Sequence, residues 1–251
     1  MRRVGRRTFL GGVGGALVLG APLAPSSALG WSGGRGRNPA VAGVIGDLAK
    51  AVGPDPRRRA RAAYAYVRDG IRYALVDDAV PPEELLRTRR GHALPQARLL
   101  NALLEGLSIR SRIHLYTLNS ELWDGLTDPR LPAPRILHAV TEVQLDGHWL
   151  ELDAYLLDPA LRRAAQARLR AEGRPIGYGD HLGASGEWDG YRIAVGALDP
   201  SRVLADHGTV ASDGALLGAP AYLRHRRASI LRQRVRAPAM NQRLRELRAS
   251  G

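Results

Sequence analysis

Two residues of this chain are spaced so that they could share a proton. The run HAVTEVQLDGHWLELDAY holds two strand-like segments separated by Asp146 and Gly147, a pair that favours a two-residue hairpin turn. With those two residues as the turn, Leu145 faces His148, Val140 lies opposite Asp153, and His138 lies opposite Tyr155. Alternation then places His138 and Asp153 on one face as diagonal neighbours, with backbones about 7 to 8 Å apart, where an imidazole can meet a carboxylate. Such a pair can orient a general base. It can equally serve only to fix two strands. The same register sets Glu142 opposite Glu151, a like-charge pair that needs an arginine or solvent over it. One more residue in the loop would break the facing relation.

A base needs something to activate. The chain contains no cysteine, which removes thiolate nucleophiles, thiolate metal sites and disulfides. His92, His138 and Asp153 could gather a metal only without a tight ligand spacing, so no metal and no cofactor is expected. His114, His148, His181, His207 and His225 follow no ligand spacing and read as surface or packing residues.

Several elements must hold these groups. Asn38 before Pro39 starts a helix to about Val52, and Asp55 before Pro56 starts another to about Gly70. IRYAL reads as a short extended piece, and Pro81 and Pro82 open a brief helix closed by Gly91. In ALPQARLLNALLEGL, Ala93, Ala97, Leu100, Leu104 and Leu107 form one stripe with Leu99 and Leu103 beside it. So wide an apolar face predicts a central, buried helix. Ser111 to Leu118 reads as a strand, and Asp158 with Pro159 caps a helix to about Gly173. The glycine-rich stretch beyond it reads as loop, with Trp188 and Tyr191 covering the domain, and DHGTVASDGALLG reads as more loop.

GHALPQARLLNALLEGLSIRSRI resembles the nucleophile region of transglutaminase-like proteins, in which a glycine two residues ahead of a cysteine leads into an alanine- and leucine-rich helix. HAVTEVQLDGHWLELDAY resembles the other half of that family's site, a histidine on one strand and an aspartate closing the next. The resemblance covers about residues 57 to 160. It implies an α+β, transglutaminase-like (papain-like) fold, with a central helix packed on an antiparallel sheet and a C-terminal helical tail. It also implies a Cys-His-Asp triad, onto which Ala93, His138 and Asp153 map in that order. Alanine has no atom to attack an acyl carbon, and no serine or threonine lies within three residues of it. Gln96 and His92 are expected to line the pocket.

The formal charge of +13 comes almost wholly from arginine, Lys50 being the one lysine. The excess sits at the two ends and leaves the middle nearly neutral, so a nucleic-acid partner is not expected. Arg6 and Arg7 followed by Thr8, Phe9 and Leu10 resemble a twin-arginine export signal. Residues 1–30 are thus expected to be a signal peptide that sends the protein to the periplasm, envelope or exterior, and residues 31–38 a glycine-rich linker. Residues 39–200 are read as the domain, and 201–251 as a loop and basic helical tail able to meet an anionic membrane surface. The expected function is an exported, catalytically inactive domain binding a peptide or cell-envelope polymer. The alternative is a hydrolase or acyltransferase that uses His138 and Asp153 with water or another nucleophile.

Overall fold

The computed structural model describes residues 38–130, 135–152, 157–193 and 200–251, with backbone alone for 200 and 228–234. The expected signal peptide, nearly all of the linker, and Asp153 lie outside the described residues. Two capped helices come first, α1 (Pro39–Val52) and α2 (Pro56–Gly70), with Asn38 and Asp55 accepting from the backbone of Ala40 and Arg58. A short strand β1 (Arg72–Tyr73) leads to α3 (Pro82–Thr88), and β2 (Arg90–Gly91) returns to pair with β1 in parallel. The helix expected to run to Gly91 stops at Thr88, because Arg89 adopts the left-handed conformation and releases the chain into β2.

Helix α4 (Ala93–Gly106) follows at once, as its wide apolar face predicted. Leu99, Leu100, Leu103 and Leu104 are fully buried, each worth roughly 1.5–3 kcal/mol of transfer free energy. Strands β3 (Ser111–Leu118), β4 (Ile136–Leu145) and β5 (His148–Leu152) then form an antiparallel run. The hairpin has the predicted register: Leu145 pairs with His148, Glu142 with Glu151, and Thr141 with Leu152. Asp146 and Gly147 both have positive φ, 50° and 80°, which suits the twist of a two-residue turn.

After α5 (Pro159–Ala171) come the two-residue strands β6 (Ile176–Gly177) and β7 (Asp180–His181). Trp188 is buried and tilts against Tyr64 at 5.8 Å between ring centroids. Tyr191 departs from expectation: it is 68% exposed, with Arg57 over its ring rather than the core beneath it.

The stretch expected to be loop after residue 200 instead forms β8 (Val203–Val210) and α6 (Asp213–Gly218). Strand β8 pairs antiparallel with β3, completing the order β5-β4-β3-β8. A bulge with Gly208 at φ 73° interrupts the pairing, so the segment reads as a turn although it is an edge strand. The tail is one helix, α7 (Pro220–Ala249), continuing through Pro238. No helix among the described residues is long and apolar enough to cross a membrane.

The sheet is covered on both faces. Leu137 and Ala139 of β4, with Ile113 and Leu115 of β3, pack in one cluster with Leu94 and Ala97 of α4. Tyr116, Leu118, Ile136 and Val140 pack instead with Leu161 and Ala164 of α5 and with Met240, Leu244 and Leu247 of α7. The end of the tail is thus part of the core. Asp158, the N-cap of α5, accepts from Leu161 and Tyr73 N–H groups and pairs with Arg248 of α7, whose guanidinium also reaches the Tyr73 carbonyl. Asn241 exchanges two hydrogen bonds with the Leu75 backbone, completing a clamp on residues 73–75.

Candidate functional site

Ala93 is the first residue of α4, and the elements before it leave little freedom in where it sits. The β1–β2 pairing fixes Tyr73 against Gly91, and the Ala74 N–H donates to the Gly91 carbonyl at 2.8 Å. A side chain on Gly91 would bring its Cβ to 2.6 Å from a terminal methyl of the buried Leu85, which would have to shift to let β2 lie this close to α3. Ala93 is 7% exposed and packs in the same buried cluster as Tyr116 and Val140. His138 is fully buried, pairs directly with Tyr116, and shares its face with Val140 by alternation. His138 therefore lies on the sheet face whose residues pack with Ala93.

The helix end is electrostatically open. His92 stands at the N-cap without capping through its side chain, and the first turn carries no acid. The Ala93 and Leu94 N–H groups belong to the turn that no intrahelical carbonyl satisfies, and Pro95 has no N–H to offer. Partial positive charge is left there, able to receive a carbonyl or carboxylate oxygen.

Sequence reasoning missed the partners of His92. Its Nε2 lies 2.9 Å from Oδ1 of Asp78, which is 4% exposed, while Oδ2 of the same carboxylate lies 3.5 Å from Nε2 of His225 on α7. Asp78 sits in a loop held from α4: the buried Arg98 donates to the carbonyls of Asp78 and Val80 and forms an ion pair with Asp213 of α6. No spacing rule links Asp78, Arg98 and His225; only the fold brings them together.

His92 and Asp78 have ion-pair geometry, yet the ring is neutral at ordinary pH. Burial holds the His92 pKa down to about 4; Asp78 opposes this shift, and positive charge on His225 or His138 adds to it. The influence of His138 also places the two imidazoles within electrostatic reach of each other. A neutral ring that donates Nε2–H to Asp78 keeps a lone pair on Nδ1, which has no partner among the described residues. The site can therefore offer backbone N–H donors, a buried neutral imidazole anchored on a carboxylate, and a second imidazole.

Against this geometry, residues 46–154 match the sequence profile of the transglutaminase-like superfamily. This stretch is a transglutaminase-like domain. Two solved structures are similar in part: a protein of Cytophaga hutchinsonii described as a cysteine protease, at 20% identity and a TM-score of 0.34, and a TGase at 12% identity and 0.34. The alignments cover 47% and 49% of this chain, and 39% and 34% of those chains. No curated protein matches the chain. A cleft of about 340 Å³ opens beside the domain's Asp78 loop, lined by Leu75, Val76, Val80, Glu84, Arg90 and Asn241 among others.

The state of His92 has a signed consequence. Its folded value lies below the unfolded one of about 6.5, so between about pH 6.5 and 4 the unfolded chain takes up a proton that the folded chain refuses. Stability is expected to fall through that window on acidification and then to level off. Imidazole ¹⁵N NMR should show His92 as the Nε2–H tautomer at pH 6 with a midpoint near 4. A midpoint near 6.5 would contradict the burial account.

Proposed function

We propose that the protein is an exported, non-catalytic transglutaminase-like domain that binds a peptide or cell-envelope polymer where its relatives hold an acyl group. One observation carries this reading: alanine opens α4, where the resemblance would put the family's cysteine, in a chain without any cysteine. A thiol of that family draws its nucleophilicity from the helix N-terminus and a neighbouring imidazole. On this reading the helix end stands at Ala93 with His138 as the imidazole, and the attacking atom is what the chain has lost. Asp153 is the proposed third member of the original triad. The uncapped helix end would receive a ligand oxygen, and the cleft by the Asp78 loop gives an extended chain room to run.

Export rests on Arg6 and Arg7, and an anionic membrane surface stays within the proposal through exposed arginines of α7 such as Arg224 and Arg245. Met240, Leu244 and Leu247 are buried inward, which leaves Leu223 and Val235, among the described residues, as the exposed apolar residues of α7 for such a contact. A second reading is favoured by the unpartnered Nδ1 of His92: the Asp78–His92 pair could serve as a base for water, making the domain a cysteine-free hydrolase with His138 assisting.

Muropeptides from digested cell wall, titrated calorimetrically against the native protein, should bind and be recovered unchanged. Ala93→Leu, which puts a larger side chain at the helix end, should weaken binding at least tenfold (about 1.4 kcal/mol). Release of cleaved peptide or ammonia by the native chain, lost in His92→Ala, would replace this reading with the hydrolytic one. Separately, residues 1–30 fused to a folded reporter should direct it out of the cytoplasm, and Arg6→Lys with Arg7→Lys should abolish export. An unaffected reporter would remove export from the proposal.

A further inference from the structure

The sheet face that bears Tyr116 carries a second group of ionisable side chains, which the reading above does not use. Glu142 and Glu151 are directly opposite on β4 and β5, as the hairpin register required. Arg112 of β3 answers one of them: it pairs with Oε2 of Glu142 while its guanidinium lies 4.1 Å over the Trp149 ring. His114, two residues along β3, turns Nδ1 to Glu142 Oε1 at 2.7 Å and lies 3.9 Å from Glu151 Oε1. One ligand atom from each of His114, Glu142 and Glu151 lies within 4.8 Å of the others.

The surroundings of this trio are those of a coordination site. The β8 bulge at Gly208 brings Asp206 Oδ1 to 2.7 Å from His114 Nε2. An imidazole whose Nε2 faces a carboxylate is held in one orientation, the usual outer-shell arrangement of a metal-bound histidine, and here that orientation turns Nδ1 toward Glu142 Oε1 and the Tyr116 hydroxyl. Arg112 likewise holds the far oxygen of Glu142 and leaves Oε1 toward His114. Among the described residues three carboxylates, Glu142, Glu151 and Asp206, surround His114 and one arginine pairs with them, so the cluster is short of positive charge. The side chain of Glu142 is 5% exposed, that of His114 14% and that of Glu151 38%, which leaves a way in for an ion. The Tyr116 hydroxyl, 2.9 Å from Nδ1 and 3.0 Å from Glu151 Oε1, closes the remaining side.

We propose that His114, Glu142 and Glu151 bind a divalent transition-metal ion, with Asp206 and Arg112 orienting the ligands. One nitrogen and two oxygens suit Zn²⁺ or Mn²⁺, whereas Ca²⁺ and Mg²⁺ call for oxygen alone. At metal–ligand distances of about 2.0–2.2 Å, the close His114–Glu142 pair need open by only roughly half an ångström.

The test is calorimetric titration of tag-free, chelator-treated full-length protein with ZnCl2, and with MgCl2 and CaCl2 in parallel. One Zn²⁺ per chain should bind at micromolar concentration or tighter, with no comparable uptake of Mg²⁺ or Ca²⁺. Glu151→Gln should weaken it at least tenfold, and Asp206→Asn by about 10–100-fold. Both side chains are solvent-accessible, so an unchanged denaturation curve shows that the fold is intact. No Zn²⁺ uptake by the native chain, or uptake that neither substitution weakens, overturns the proposal.

Discussion

Burial of α4 is the constraint on which the rest of the structure depends. Its first turn packs with the clusters on both faces of the sheet, and its last turns pack against α1, α2 and the far end of β4. Truncating any of its buried leucines to alanine would cost about 2–5 kcal/mol, because the surroundings are too closely packed to collapse into the gap. A helix held this firmly cannot slide, so the position of Ala93 relative to β4 is set by packing far from it. The same helix supplies Arg98, buried at 2% exposure, which reaches out to hold the Asp78 loop. A core side chain thereby fixes the carboxylate that anchors His92.

The two sheet faces divide the work. The face beneath α4 is apolar at its centre, with Thr141 bonding to the Ala97 carbonyl. The other face carries His138 and Tyr116 and, further along β3 and β4, the carboxylates around His114. Off the sheet, α7 supplies partners for buried polar groups of the neighbouring elements: Arg248 for Asp158, Asn241 for the backbone of Leu75, and His225 for Asp78. Burial alone would raise the Asp158 pKa, but the Arg248 charge and hydrogen bonds from Arg248, Tyr73 and Leu161 outweigh it and keep the carboxylate below its ordinary range. The tail is therefore a structural brace of the domain as well as its most basic segment.

Much of this was legible in the sequence wherever the signal was local. An Asp-Gly turn between alternating runs fixed the β4–β5 register, including the Glu142–Glu151 pair, and the leucine stripes marked α4 as buried. The resemblance to the transglutaminase-like family rested on those same two blocks. What failed to show was long-range or weakly patterned. Strand β8 alternates intermediate with exposed positions and contains Gly208, so it offers no apolar face to detect. Asp78 and His225 lie far from His92 in sequence, and Arg98 sits beside the apolar stripe like any helix arginine. His114 looked isolated because its ligand-like neighbours come from three other strands; placing β3 beside β4 would have revealed it.

The central claim is that the start of α4 and His138 form a transglutaminase-like site lacking only its nucleophile. Installing that nucleophile tests it most directly: the rate of thiol alkylation in Ala93→Cys, followed against pH beside Ala93→Cys with His138→Ala. A preserved site predicts thiolate reactivity with a midpoint well below the free cysteine value of about 8.5, lost when His138 is removed. A thiol that titrates ordinarily in both proteins would contradict it.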